Sequence, residues 1–164
     1  MATIELAMPF LKKHEGGWSN RRQDRGGPTM EGLTLAVAQR YGIMTEEALR
    51  NISDADLMRI YRDGYWKFDG VNDQRVATKM FDLCVNFGDG TEIKMIQVIV
   101  GVSADGVYGP ATEAAINAMD PDQLIQDISD AAVARYEEIE GRNPNDEEFM
   151  RGWLIRAKDV PDAA

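Results

Sequence analysis

The most informative part of the sequence is HEGGWSN at residues 14–20, which continues as DRGGPT at residues 24–29 and GLT at residues 32–34. Two carboxylates, Glu15 and Asp24, stand nine residues apart, and a pair of glycines lies on either side of Asp24. Glycine adopts positive φ and lets chain segments approach closely, so the segment after Glu15 does not simply continue a helix. We expect it to leave a helix end, form a tight ribbon and return towards Glu15, which would place Asp24 across a groove.

Two carboxylates in unlike surroundings are suited to the hydrolysis of a glycosidic bond, because one can stay protonated as a general acid while the other is ionised. The simpler interpretation is that Glu15 forms a cap or a salt bridge and that the glycines only make a turn. That is the commoner case for an arbitrary pair of acidic residues. The end of a helix disfavours a negative charge on Glu15, whereas Lys12, Lys13 and Arg21 would favour it if they lay close.

The run from His14 to Thr34 resembles the signature of glycoside hydrolase family 108, the phage endolysin and secretion-associated muramidases. Later segments resemble the same family in the same order: Phe81-Asp82 with Asn86-Phe87-Gly88, then Asp105-Gly106-Val107-Tyr108-Gly109-Pro110-Ala111-Thr112, then Arg151-Gly152-Trp153 with Arg156. The last two lie in the part usually described as a peptidoglycan-binding domain. The resemblance implies an N-acetylmuramidase of lysozyme-like fold, with Glu15 as the catalytic acid.

In this interpretation Glu15 protonates the oxygen of the β-1,4 bond between N-acetylmuramic acid and N-acetylglucosamine. Asp24, ionised, positions the attacking water or stabilises the developing oxocarbenium charge. A threonine hydroxyl would hold that water. The spacing in related phage lysozymes points to Thr29, and Thr34 is the alternative because the turn geometry of the ribbon is not known from the sequence.

Four further residues are candidates for substrate binding. Asn20 belongs to the first motif, and the resemblance suggests that Asn86 helps to line the groove, although Asn86 also lies where it could cap a helix. Tyr65 and Trp66 could stack on sugar rings, but packing in the core or at its rim is the commoner fate of such a pair.

The spacing of apolar residues predicts a mainly α, lysozyme-like fold with one small β-ribbon between residues 18 and 34. The predicted helices cover residues 4–14 after a Thr3 cap, 35–41, 46–50, a segment opened by the capping box at 53–56, 73–87, 92–100, 110–119, 121–141 and a last helix capped by Asn145. We expect Pro9 to kink or shorten the first helix. The helix at 73–87 leaves little polar face, so we expect it to be central and buried.

The net charge of −10 argues against nucleic acid as a partner. The charge is uneven, since residues 12–25 carry a net charge of +3 and the remainder −13. A locally basic rim beside the groove could attract the carboxylates of peptidoglycan peptide stems. Ordinary surface charge is the alternative.

The single Cys84 excludes an intramolecular disulfide framework and fits a reducing compartment. The first residues lack the features of a signal peptide, and no apolar run is long enough to span a membrane. We therefore expect a monomer that is made in the host cytoplasm and acts on the cell wall after release, with a holin or another export route to help it cross the membrane.

Other chemistries of wall lysis do not fit the composition. A zinc amidase or metallopeptidase needs several ligands, and the chain has one histidine, His14, which we expect at the groove edge or on the surface. A cysteine peptidase needs an activated thiol, whereas Cys84 lies late in an apolar helix. Neither a calcium loop nor a phosphate-binding glycine motif is present. We expect no metal and no cofactor.

The sequence predicts two regions, a lysozyme-like catalytic region at 1–90 and a peptidoglycan-binding-type helical region at 91–164. No Pro- or Ser-rich linker separates them, so we expect them to pack as one compact body. The alternative to an enzyme is a non-catalytic cell-wall-binding or secretion-assisting protein that relies on the motif at 105–112.

Overall fold

The computed structural model describes residues 1–19, 27–142 and 147–162. Within these residues it contains nine helices and a three-stranded antiparallel sheet, in the order α1 (Ile4–Glu15), β1 (Trp18–Ser19), β2 (Thr29–Met30), β3 (Leu33–Thr34), α2 (Leu35–Gln39), α3 (Glu46–Arg50), α4 (Asp54–Gly64), α5 (Gln74–Phe87), α6 (Asp89–Val100), α7 (Pro110–Ala118), α8 (Pro121–Arg142) and α9 (Glu147–Lys158). The predicted mainly α fold with one small ribbon near the N-terminus is confirmed.

Helix α5 lies at the centre of the fold. Its residues are buried without interruption from Val76 to Cys84, and it packs against α1, α6 and α8. Two of these buried residues are charged, Lys79 and Asp82, and both are fully inaccessible to solvent. A charged side chain in such a position requires a partner, and the site described below supplies one to each of them.

Side-chain caps begin most of the helices at the predicted positions. Thr34, Thr45 and Ser53 each accept a hydrogen bond from the backbone N–H three residues ahead. Asp73 caps α5 through the N–H groups of the second and third residues after it, and Asp120 accepts from the backbone N–H at the start of α8. These bonds satisfy donors that helix geometry leaves unpaired.

Helix α1 differs from its prediction in two respects. Thr3 occupies the N-cap position, but its side chain makes no capping bond, and its backbone N–H is bound instead by the side chain of Gln74 at 2.8 Å. The helix also continues through Pro9 as far as Glu15. Proline removes one helical hydrogen bond, and burial of the apolar face of α1 against α5 offsets that loss.

The boundary between α5 and α6 is a single residue, Gly88, with φ of 88°. Helix α6 begins at Asp89 rather than at the predicted Glu92. Both of these acidic residues lie in its first turn, where the helix dipole favours negative charge, so the helix starts as soon as the chain has turned. No linker therefore separates the two halves of the chain at this point.

The loop that follows α6 is fixed by one buried side chain, Gln97. Its amide nitrogen donates to Asp105 Oδ1 at 2.8 Å, to the Val107 carbonyl at 3.1 Å and to Thr112 Oγ1 at 3.2 Å. Its amide oxygen accepts from the backbone N–H of Gly106 at 2.8 Å. Every polar atom of a buried amide is used, which gives the loop one conformation.

Helix α8 extends to Arg142, one residue beyond the predicted end at Gly141, and α9 packs against it. The predicted cap of α9, Asn145, lies outside the described residues. The C-terminal turn of α9 lies beside the C-terminal turn of α1, and this arrangement forms the candidate site.

Candidate active site

Glu15 is the last residue of α1. Gly16, with φ of 67°, ends the helix, and its N–H binds the carbonyl of Lys12. The Glu15 side chain is 15% exposed, so the carboxyl is mostly buried at the point where the chain enters the ribbon. This location follows from the sequence, because a glycine pair directly after an amphipathic helix dictates both its end and a change of direction.

The partner of Glu15 is Arg156 of α9, which lies 141 residues away in the sequence. Arg156 Nη2 donates to Glu15 Oε1 at 2.5 Å. The same guanidinium binds Asp82 of α5 through Nε at 2.9 Å to Oδ2 and through Nη2 at 2.9 Å to Oδ1. Arg156 and Asp82 are both buried. The catalytic candidate is thus one end of a buried acid–base–acid triad.

Charge balance keeps Arg156 cationic in this position. Burial would lower the pKa of its guanidinium, but Asp82 and Glu15 outweigh that effect and hold the pKa well above its ordinary value. Of the basic residues near Glu15 that the structure describes, Lys12 pairs with Glu31 at 3.3 Å and Asp54 at 2.9 Å, and Lys13 pairs with Asp159 at 2.7 Å. Arg156 is therefore a cationic partner of Glu15 that sequence proximity does not identify.

A β-hairpin closes over the other side of the Glu15 carboxyl. Strands β2 and β3 are joined by Glu31 and Gly32, whose φ angles are 47° and 82°. Two consecutive positive φ values characterise a type I′ turn, in which glycine is favoured at the second position. A Cβ atom on Gly32 would lie 2.7 Å from Glu15 Oε2 and 2.6 Å from Cδ, so the tip of the hairpin touches the carboxyl.

The strained residue of this turn is held by α4. Glu31 has positive φ without being glycine, which is uncommon, and the Tyr61 hydroxyl donates to its carbonyl oxygen at 2.6 Å. Tyr61 is buried, and burial is the main cause that raises the pKa of its phenol well above the usual value. The phenol therefore remains a neutral donor and keeps the hairpin tip in place.

The two candidate threonines are direct neighbours across the hairpin. Thr29 pairs with Thr34 in the register of β2 and β3, and directly opposed residues share one face of a sheet. Thr34 Oγ1 accepts the N–H of Val37 as the cap of α2 at 3.3 Å. For the Thr29 hydroxyl, no partner is found among the residues that the structure describes. Thr29 is therefore the better placed of the two to bind a water.

The other predicted site residues divide into three groups. Asp24 and Asn20 lie outside the described residues. Asn86, half-buried near the end of α5, accepts a hydrogen bond from the Tyr136 hydroxyl at 2.6 Å. Tyr65 is half-buried beside Tyr61, with the ring centroids 5.5 Å apart. Tyr65 lies within electrostatic reach of Glu15.

Trp66 lies in the core rather than in a groove. It is 7% exposed, and its ring meets those of Phe68 and Phe81 edge to face, with centroids 5.7 Å and 5.5 Å away. Its indole N–H donates to Asp69 at 2.9 Å. Trp66 therefore packs in the core, and we do not include it among the residues proposed to stack on a sugar.

Two more contacts join the end of α9 to the end of α1. Asp159 Oδ2 pairs with Lys13 Nζ and with His14 Nε2, both at 2.7 Å. The His14 side chain is 7% exposed, so it forms part of this junction rather than the groove edge or the surface. Lys13 and His14 directly precede Glu15, and their pairing fixes the last turn of α1.

Lys79 of α5 caps the C-terminal end of α9. Its ammonium donates to the carbonyl oxygens of Arg156 at 2.9 Å, Ala157 at 2.8 Å and Asp159 at 2.6 Å. Burial lowers the pKa of Lys79 to about 8, although nearby Asp82 acts in the opposite direction. These bonds occupy carbonyls that a helix end leaves unpaired, and they hold the backbone that carries the Arg156 side chain.

The described part of the chain offers no cluster of three His, Cys, Asp or Glu residues arranged to hold a metal ion. In the same ranges, no helix is both long enough and apolar enough to cross a membrane.

The comparison with family models matches residues 8–88 to Glycosyl hydrolase 108 and residues 91–158 to a Predicted Peptidoglycan domain. The chain belongs to glycosyl hydrolase family 108. The first match contains Glu15, Asp24 and both threonines, and the second contains Arg156. The junction between the two matches falls at Gly88, where α5 ends.

The structure is similar to that of SagA from Brucella abortus, with a TM-score of 0.71 and 27% sequence identity over 93% of this chain and 94% of that one. No curated protein sequence matches the chain. Together, the family models support a peptidoglycan hydrolase and peptidoglycan as the substrate. The resemblance seen in the sequence is thereby confirmed.

Proposed function

We propose that this family 108 hydrolase is an N-acetylmuramidase that cleaves the β-1,4 bond between N-acetylmuramic acid and N-acetylglucosamine, with Glu15 as the general acid. The observation that carries the proposal is the environment of the Glu15 carboxyl. It is mostly buried, one oxygen is bound by Arg156, and the other lies against the hairpin tip at Gly32. A carboxyl shielded in this way can carry a proton at a fixed position.

The two carboxyl oxygens take different roles in the proposed reaction. Oε1 accepts from Arg156, which leaves Oε2 to carry the proton. Proton transfer from Oε2 to the glycosidic oxygen accompanies cleavage of the bond to the anomeric carbon of N-acetylmuramic acid. Water then adds to that carbon and gives its proton either to the Asp24 carboxylate or to the newly ionised Glu15, and the product has a new reducing end. Asp24 positions this water or stabilises the oxocarbenium charge, and Thr29 orients the water.

The proposal extends to the biological role. We infer an endolysin that is made in the host cytoplasm and reaches the wall after release, with the help of a holin or another export route.

The test of the enzymatic proposal is Glu15→Gln, which keeps the shape of the side chain and removes the acid. We expect peptidoglycan digestion to fall at least about a hundredfold, while binding to purified walls persists. The products are identified by mass spectrometry, and wild type is expected to release reducing-end N-acetylmuramic acid. Glu46→Gln, an exposed glutamate on α3, is the matched control and is expected to retain full activity.

Two other outcomes would change the proposal. Reducing-end N-acetylglucosamine or anhydro products would indicate a different bond or reaction. Equal digestion or equal phenotype for wild type and Glu15→Gln would contradict a catalytic role for Glu15 and favour the alternative, a non-catalytic wall-binding or secretion-assisting protein.

A second prediction concerns the hairpin tip. Gly32→Ala puts a methyl group within 2.8 Å of Glu15 carboxyl atoms, so the acid must move, and we expect the rate of wall digestion to fall about tenfold or more. Gly42→Ala is the control, because Gly42 also has positive φ but has nothing within 4 Å of the added Cβ. Both variants carry similar backbone strain, and equal activities would show that the contact with Glu15 does not matter.

A further inference from the structure

Arg156 divides its hydrogen bonds unequally between two carboxylates. The two carboxylate oxygens of Asp82 accept hydrogen bonds from Nε and Nη2 of Arg156. The backbone carbonyl of Asp82 accepts a further bond from Nη2 at 3.2 Å. Glu15 receives a single bond from Nη2. Paired Nε and Nη2 bonds to one carboxylate are the strong arrangement for a guanidinium. Within the described residues, Asp82 therefore accepts three of the four hydrogen bonds of Arg156, and Glu15 accepts the fourth.

This division matters because a general acid must be protonated when the substrate is bound. A guanidinium that paired with Glu15 alone would stabilise the ionised carboxylate and remove the proton that catalysis needs. We propose that Asp82 is a positioning residue that weakens the hold of Arg156 on Glu15 and thereby sets the pH below which the acid carries its proton. This inference rests on the proposed role of Glu15 as the acid.

Among the residues that the structure describes, the remaining titratable groups around Glu15 do not compete for this role. On the packed elements they are Tyr61 of α4, Tyr65 directly after α4, Tyr136 of α8 and, at the hairpin, Glu31. Asp24 and Arg21 lie outside the described residues. Burial raises the pKa of all three phenols, so they stay neutral in the working range. Glu31 is paired with Lys12, and His14 with Asp159. Lys79 and Glu92 interact electrostatically with Asp82 and with each other.

The test is the pH dependence of Asp82→Asn, which removes the charge with little change of shape. Arg156 then has only Glu15 as a charged partner, so the carboxylate of Glu15 is stabilised. We expect the alkaline limb of kcat/KM on peptidoglycan to move about one pH unit lower than in wild type. Asp122→Asn is the matched control, because Asp122 pairs with Arg75 at 2.7 Å and does not contact Arg156. It is expected to leave the limb unchanged.

A second measurement does not depend on activity. The side-chain carboxyl carbon of Glu15 is titrated by NMR in carbon-13 glutamate-labelled protein and assigned by comparison with Glu15→Gln. We expect the midpoint in Asp82→Asn to lie about one pH unit below that of wild type. A double variant, Asp82→Asn with Arg156→Gln, removes both members of the buried ion pair, and in it the midpoint is expected above that of the single variant.

The outcomes separate the two proposals. An unchanged or higher midpoint in folded Asp82→Asn overturns the role of Asp82, as does a double variant that titrates no higher than the single one. If Asp82→Asn does not fold, the double variant is compared with wild type, and a midpoint that is not raised overturns the role of the pair. If the wild type does not digest walls but the shifts of the Glu15 midpoint are observed, the proposed muramidase activity is rejected and the role of Asp82 is retained.

Discussion

Arg156→Met is expected to lower the free energy of unfolding by about 4 kcal/mol. The variant keeps much of the apolar volume of the side chain but removes the guanidinium that pairs with Asp82, whose carboxylate is fully buried. Breaking a buried ion pair from one side is costly because it leaves the other charge without solvent and without a partner. The Glu15 carboxyl loses its positioning bond in the same step, so activity is expected to fall as well.

Chemical denaturation measured at pH 7 checks this value. The matched control is Arg142→Met, which removes an arginine whose side chain is 70% exposed and which pairs with Glu138 on the same helix. Such a surface pair contributes little, so the control is expected to stay within about 0.5 kcal/mol of wild type. Similar losses in the two variants would show that the triad does not hold the fold.

Glu92→Met is expected to have the opposite effect and to raise the free energy of unfolding by about 2 kcal/mol at pH 7. The Glu92 side chain is fully buried, and neither of its carboxyl oxygens has a hydrogen-bond partner in the described part of the chain. Burial, reinforced by Asp82, raises the pKa of this carboxyl well above its usual value. The native state thus holds a neutral carboxyl that the unfolded chain would ionise.

The sign of the pH dependence follows from that difference. Between the ordinary pKa of glutamate and the raised pKa in the fold, the native state binds one proton more than the unfolded state, so stability falls as the pH rises. The advantage of Glu92→Met is therefore expected to be larger at pH 7 than at pH 5. Glu137→Met, at an exposed position on α8, is the control and is expected to show no such trend. A Glu92→Met variant less stable than wild type at pH 7 would contradict this account.

The elements of this fold could be predicted because their signals are local. The caps at Thr34, Thr45 and Ser53 and the helix end at Gly16 depend on residues within one turn of the feature. The position of Glu15 at the end of α1 followed from the same kind of signal. Helix α6 starts three residues before the predicted Glu92, because Gly88 alone makes the turn and Gly90 lies within the first helical turn.

The environment of the site could not be predicted, because it depends on contacts across the whole chain. Asp82 and Arg156 both lie in segments that resemble the family, but nothing in either segment indicates that they meet across 74 residues. Lys12 and Lys13 are close to Glu15 in sequence, yet their positions on α1 direct them to other carboxylates. Glu92 was assigned only to a helix, since burial of a single acidic residue leaves no pattern.

The position of Arg156 has a consequence for protein engineering. Hydrolases of bacterial walls are often regarded as interchangeable parts, in which one targeting module is exchanged for another to redirect the enzyme. Here the segment matched to the Predicted Peptidoglycan domain supplies the guanidinium that touches Glu15 and two of the three carbonyls that bind Lys79. The next residue, Asp159, supplies the third carbonyl and the carboxylate that pairs with Lys13. A chimera joined at Gly88 would inherit the candidate site without the contacts that α9 supplies, so a recombination point in this protein must not separate α1 from α9.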